Sequence, residues 1–254
     1  MESVLNKNRL AIICPVLNCW KYTEGMLNSI RSSTPYIIIM IDNGSTDQTR
    51  SKLLKREEKK ELIYINNTRN EGVAKSWNQG IEKAKNTYEC NHFIVVNNDI
   101  VLKKCTIDRM IEDLEREDLG MVTAWNVNGE IDTPDKLVKY EIPILQKFTE
   151  APDFSCFMIK ESTINKVGYF DENFWPAYFE DNDYHYRMKL KGIRAVKDNQ
   201  ALYYHYGSCT VKENEGIGKV NNENYLINKE YYIKKWGGEP GNETFETPFN
   251  VWEN

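Results

Sequence analysis

With 254 residues, 41% hydrophobic and 28% charged, the chain has the composition of a folded globular protein and not that of a disordered or collagen-like one. The length suits one large α/β domain, with or without an appendage, better than two full domains. A formal charge of −5, from 33 basic and 38 acidic residues, leaves no global positive field to draw in nucleic acid or an anionic membrane.

The opening residues, MESVLNKNRL, lack the basic and apolar regions of a signal peptide, and no apolar run approaches the roughly 20 residues of a membrane span. The expectation is a cytoplasmic protein without a membrane span. Residues 9–14 (RLAIIC) and 36–41 (YIIIMI) are Ile-rich runs closed by Pro or Asn-Gly breaks, the pattern of strands buried on both faces. A helix-length segment, 21–32, lies between them. The charged run 46–60, with Leu53 and Leu54 on one side, reads as a solvated amphipathic helix. A short strand follows at 62–65. Residues 71–85 then place Val73, Trp77, Ile81 and Ala84 at helical spacing, and 92–96 (HFIVV) is again a buried strand. The first hundred residues therefore alternate β-α-β-α-β-α-β.

That alternation predicts a mostly parallel sheet with helices on both faces and a ligand site beyond the carboxyl ends of the strands. The polar residues to inspect there are 15–18, 42–47, 66–72 and 97–99. Beyond 120 the pattern is less regular: weak strands near 119–124 and 154–159, a helix near 178–191, and strand-like segments at 193–196 and 201–206. No internal repeat, long linker or low-complexity block is present. The six cysteines (Cys14, Cys19, Cys90, Cys105, Cys156 and Cys209) contain no CxxC pair, and several lie in apolar segments, which argues for reduced thiols and against a zinc site.

Asp42 closes a strand ahead of the Asn43-Gly44 turn. The turn and a helix cap by Ser45, Thr46 or Asp47 need no ligand, but they leave Asp42 unexplained. A carboxylate at the mouth of a parallel sheet can accept hydrogen bonds from a nucleobase or ribose. The triplet Asn97-Asn98-Asp99 is good turn chemistry, and it also suits a hard divalent cation held by one carboxylate, substrate phosphates and water. Glu180, Asp181, Asp183, His185 and Arg187 crowd among aromatics at 170–192. Acids are favoured in a first helical turn, yet Trp175, Tyr178 and Phe179 beside them would desolvate the carboxylates and raise their pKa toward general-base use, and aromatic faces suit sugar rings. His205, after an aromatic run, reads on its own as a structural histidine.

In order and spacing these pieces resemble a family 2 glycosyltransferase of the GT-A fold, in the branch with bacterial rhamnosyltransferase-like and phage-encoded enzymes. The motifs are residues 12–18 (IICPVLN), 41–47 (IDNGSTD), Asn70-Glu71-Gly72 with Asn78 and Gly80, and Asn97-Asn98-Asp99. They continue through 167–172 (VGYFDE), 180–183 (EDND) with Arg187 and Gly192, and His205-Tyr206-Gly207-Ser208. The resemblance covers residues 9–210.

It implies a single GT-A domain over 1–210, with a nucleotide-binding half (1–102) and an acceptor half (103–210), and an extension over 211–254 packed on it. It further implies that Pro15, Asn18, Asp42, Arg69, Asn70 and Asn98 bind the nucleotide, that Asp99 and His205 hold Mn²⁺ or Mg²⁺, and that Asp181, with Glu180 beside it, is the catalytic base. Trp175 and Tyr178 would meet the acceptor or sugar. The implied reaction is an inverting, metal-dependent transfer from a nucleotide-sugar, a UDP-sugar above others, to a hydroxyl of a glycan or other acceptor. A modified DNA base joins the possible acceptors if the chain is phage-encoded, in which case it works in the host cytoplasm. Two departures stand out: Asn97 replaces the first Asp of a DXD motif, leaving one carboxylate for the metal, and Asn43 stands where a second acid is frequent. The alternative is a catalytically silent GT-A-like module that binds a glycan or partner. A nucleotidyltransferase lacks support because residues 15–18 are not its Gly-rich, Arg-containing signature, and no GxGxxG follows the first strand to suggest a dinucleotide oxidoreductase.

Overall fold

The computed structural model describes residues 9–116, 118–142, 146–207, 209, 212 and 215–251. The first half follows the expected alternation: β1 (Leu10–Val16), α1 (Trp20–Ser29), β2 (Tyr36–Asn43), α2 (Thr49–Glu58), β3 (Ile63–Asn67), α3 (Val73–Tyr88) and β4 (His92–Val96). The second half comprises β5 (Ile100–Leu102), α4 (Thr106–Arg116), β6 (Leu119–Asn126), β7 (Phe148–Thr149), β8 (Cys156–Lys160), α5 (Glu161–Val167), α6 (Glu180–Leu190), β9 (Arg194–His205) and α7 (Glu215–Trp236).

Among the described residues the strands form one sheet in the order β3-β2-β1-β4-β8-β6-β9-β5, with β7 paired to β9. β1 runs parallel to β2 and β4, and β2 to β3; β8 is antiparallel to both its neighbours, and β6 and β9 are parallel again. The period-2 geometry of a strand sends alternate β1 side chains to opposite faces. Leu10, Ile12 and Cys14 join a core roofed by α1, α2 and α4, while Ala11 and Ile13 join one roofed by α3, α5 and α6. Both faces are therefore dry, which is why the strands read as unbroken apolar runs. α3 lies so close to β1 that a Cβ at Gly80 would sit 2.3 Å from the Ile13 Cγ2 atom.

Three parts differ from the expectation or go beyond it. The segments 193–196 and 201–206 are one strand, β9, carrying an irregularity where Ala124 pairs Asp198 but Trp125 pairs Leu202. The polar stretch 198–200 resembles a turn, yet Asp198 and Asn199 are buried and Asn199 is bonded to the Gln146 and Lys147 carbonyls. Of the two leucines assigned to one face of α2, Leu53 is buried and Leu54 is exposed. Finally, α7 is a 22-residue helix whose last turns pack Tyr232 and Trp236 against Phe174 and Phe179. No helix among the described residues is long and apolar enough to cross a membrane.

Candidate active site

Strand pairing brings the polar strand ends together. Val16 pairs Asp42 and Asp42 pairs Asn66 in parallel register, while Asn97 donates its N–H to the Ser155 carbonyl (2.9 Å). Beyond these ends lies a cavity of about 230 Å³ lined by Pro15, Asn43, Asn70, Asn97, Asn98, Asp99 and His205, with Asn221 of α7 on its far wall. Sequence reasoning placed five of these, Pro15, Asn70, Asn98, Asp99 and His205, in one site.

Asp99 and His205 meet because β5 and β9 are antiparallel with Ile100 opposite His205. The Tyr206 N–H bonds the Asp99 carbonyl (3.0 Å), His205 Nε2 lies 3.0 Å from Asp99 Oδ1, and the Cys209 N–H donates to Oδ2 (3.1 Å). Burial alone would push the Asp99 carboxyl up; His205 and the Cys209 N–H outweigh it and hold the pKa below the usual carboxylate range. Adjacent donors of an octahedral cation with bonds of about 2.1 Å stand about 3.0 Å apart, so this carboxylate and imidazole fit two neighbouring positions of one Mg²⁺- or Mn²⁺-like ion. Among the described residues no group of three or more His, Cys, Asp or Glu side chains could hold a metal, so the other positions would fall to diphosphate and water. Ser208 of the His205 motif lies outside the described residues.

The remaining implied nucleotide contacts are placed differently. Asp42 is fully buried, taking the Ser45 N–H on Oδ1 and the Tyr64 hydroxyl on Oδ2, both at 2.8 Å. Asn18 Oδ1 receives the N–H groups of Thr46 (2.7 Å) and Asp47 (3.2 Å), and Ser45 Oγ accepts the Asn18 N–H (2.8 Å), so this side chain shapes the 45–47 loop. Arg69 is exposed and paired with Glu71 (2.7 Å). Trp175 Nε1 donates to the Asn70 carbonyl (3.1 Å), with its ring over Gly72, where a Cβ would come within 2.9 Å of it.

Glu180 and Asp181 open α6 after two residues, Tyr178 and Phe179, in the left-handed region (φ 80° and 74°). Glu180 is buried with Oε2 unpartnered among the described residues, and burial, then the Asp181 charge, pushes its pKa well up. Burial also raises Asp181, reinforced by the Asp153 carboxylate. Asp181 lines a second cavity of about 270 Å³ with Tyr178, Phe179, Asn182, Tyr225, Lys229, Glu239 and Pro240. Pro176 and Ala177 line the first cavity and the next two residues line the second, so this segment borders both.

α6 is held from behind. Asp183 is fully buried and bonded by Arg187 Nε (2.8 Å), Trp236 Nε1 (2.9 Å) and Lys235 Nζ (2.6 Å); Lys235 also reaches Asp171 (2.7 Å). Asn78 ties α3 to the same region through both the N–H and carbonyl of Phe170 (2.9 Å each). Sequence reasoning missed Asn43, Asn221 and Tyr225. Asn43 was legible as the neighbour of Asp42 at a strand end; the other two lie one turn apart on α7, where the dense Asn and Tyr content was the available signal.

Residues 11–188 match the glycosyl transferase family 2. The chain belongs to that family. It is 26% identical over 206 residues to TagX of Staphylococcus aureus (strain MRSA252), named a glycosyltransferase, covering 75% of this chain and 55% of TagX. The chain thus spans about half the length of the curated relatives it matches. Among solved structures, S. aureus TarS 1-349 in complex with UDP-GlcNAc superposes with a TM-score of 0.57 at 20% identity, covering 77% of this chain and 58% of that one. A mannosyltransferase from Pyrobaculum calidifontis in complex with GDP-Man and Mn²⁺ gives 0.65 at 16% identity over 93% and 67%. These likenesses show the GT-A fold, a mostly parallel mixed sheet flanked by helices.

Proposed function

We propose that this family 2 chain transfers a sugar from a nucleoside diphosphate, UDP in first place, to an acceptor hydroxyl with inversion at the anomeric carbon. The observation that carries the reading is the Asp99–His205 pair, locked by strand register at the edge of a cavity lined by Pro15, Asn70 and Asn98. The bound UDP-GlcNAc of TarS and the GDP-Man and Mn²⁺ of the Pyrobaculum enzyme support it.

Asp99 and His205 would hold a Mn²⁺ or Mg²⁺ ion, which when bound supplies positive charge to the leaving diphosphate. Asp181 acts as the base: burial raises its pKa above the ordinary carboxylate range, which makes it a better proton acceptor, and it lines a cavity where a hydroxyl can sit. The acceptor oxygen gives its proton to Asp181 as it attacks the anomeric carbon, and the bond from that carbon to the diphosphate breaks on the opposite face. Glu180, keeping its proton where an ordinary carboxyl is ionised, avoids a second full charge beside the base. The acceptor is a glycan or another hydroxyl-bearing compound.

Calorimetric titration of UDP and GDP, with and without Mn²⁺, tests the donor site. Mn²⁺-dependent UDP binding that disappears in Asp99→Ala is the expected result; preference for GDP would reassign the donor, and no nucleotide binding at all would favour the silent module. Asp181→Asn should abolish turnover with the fold intact, and wild-type turnover in that variant would remove Asp181 as the base.

A further inference from the structure

The family match ends at residue 188, yet α7 lines both cavities and the segment after it lines the second. Asn221 lines the Asp99 cavity; Tyr225, one turn on, lines the Asp181 cavity, followed by Lys229 at the next turn. These positions, spaced by four, lie along one helix face. Asn228 Nδ2 anchors that face by bonding the Ala177 carbonyl (2.9 Å) and the Tyr178 carbonyl (3.3 Å), in the segment that borders both cavities.

We infer that the second cavity is a binding site for an uncharged sugar ring of the acceptor, with Tyr225 as its stacking platform. This rests on the proposed reading of Asp181 as base. Tyr225 meets Tyr178 at 5.5 Å and Phe179 at 5.2 Å between ring centroids, so three rings give the cavity an aromatic side. Asp181, Asn182, Lys229 and Glu239 give it a hydrogen-bonding side, which is the mixed lining that a ring with apolar C–H faces and a rim of hydroxyls requires. Lys229 is paired to Glu239 at 2.8 Å, so the lysine charge is neutralised locally and offers no strong attraction for a phosphate or carboxylate. At about 270 Å³ the cavity is at the small end of ligand sites, the size for one sugar unit and not an extended chain. A ring seated on Tyr225 would share this cavity with Asp181.

The test is saturation-transfer NMR on the full chain with methyl glycosides of glucose, galactose, mannose and N-acetylglucosamine at millimolar concentration, alongside calorimetry of UDP with Mn²⁺. Wild type should transfer saturation to at least one glycoside. Tyr225→Ala should weaken that binding by about five-fold or more, and Tyr225→Phe, which keeps the ring, should retain it. UDP affinity should be the same in all three proteins. Undiminished glycoside binding in Tyr225→Ala, or UDP binding without any glycoside binding in wild type, would overturn the inference while leaving the donor site standing. Tyr225-dependent glycoside binding without UDP binding would support the sugar site and sink the donor reading; absence of both would sink both.

Discussion

Lys235→Met tests how the start of α6 is held. Lys235 is 6% exposed, and its ammonium bridges Asp171 and the fully buried Asp183 across 2.7 and 2.6 Å. Methionine fills nearly the same space, so packing against Phe174 and Trp236 is largely kept and the loss is electrostatic. Removing one partner of a buried ion pair costs about 3–5 kcal/mol. Here Asp183 keeps Arg187 and the Trp236 N–H, and Asp171 keeps the Tyr231 hydroxyl (3.0 Å), so the expected loss is at the lower end, about 3 kcal/mol. For a domain of this size that lowers Tm by about 6–12 °C. Circular-dichroism melts of wild type, Lys235→Met, Asp171→Asn and the double variant would measure it. Because the two groups touch, the double variant should lose less than the sum of the single losses, by about 0.5–3 kcal/mol. A loss under about 1 kcal/mol, or strict additivity, would refute the idea that the charge pairing and not mere packing holds α6.

Gly80→Ala should destabilise by about 1–3 kcal/mol in urea titration, since the new Cβ meets Ile13 of β1 at 2.3 Å and α3 must shift. Asp198 is pushed up to about 7, first by burial and then by the neighbouring Asp113 carboxylate. Its folded pKa exceeds its unfolded one, so wild type loses stability through this group as pH rises from about 4 to 7 and stays at that level above. Asp198→Asn should therefore gain more, relative to wild type, at pH 8 than at pH 5, by more than about 1 kcal/mol; an equal gain at both would count against the assignment. With Asp181 as the proposed base, its raised pKa should place the acid limb of the kcat profile above the ordinary carboxylate range of about 3.9, because a base works only when ionised. A rate flat down to pH 4 would exclude it.

The first half of the fold was legible because its strands are buried on both faces: Ile12, Ile13, Ile39, Ile41 and Val95 leave no polar interruption to confuse the period. Sequence reading assigned nothing to α4, although Ile107, Met110, Ile111 and Leu114 follow helical spacing. β9 was split in two because Asp198 and Asn199 are polar inside a strand, and their partners are distant in sequence: Phe148 and Asp113 beside Asp198, and residues 146–147 bonded by Asn199. At the site, position was readable but engagement was not. Asp42 stands at the expected strand end, yet its two oxygens are occupied by Ser45 and by Tyr64, the latter on a different strand. Tyr225 was out of reach because its cavity depends on a helix whose polar and aromatic residues show no clean apolar face in sequence.

The pairing of β5 with β9 separates two things that evolution can change independently. Asp99 and His205 stand 106 positions apart, but Ile100 opposite His205 fixes their meeting. Loops between those strands can lengthen, shorten or be exchanged for a different acceptor without re-aiming this pair. A slip of one residue in β9 after the 198–200 irregularity would instead turn His205 to the other face of the sheet, so that short stretch is where the pair is vulnerable to insertion or deletion.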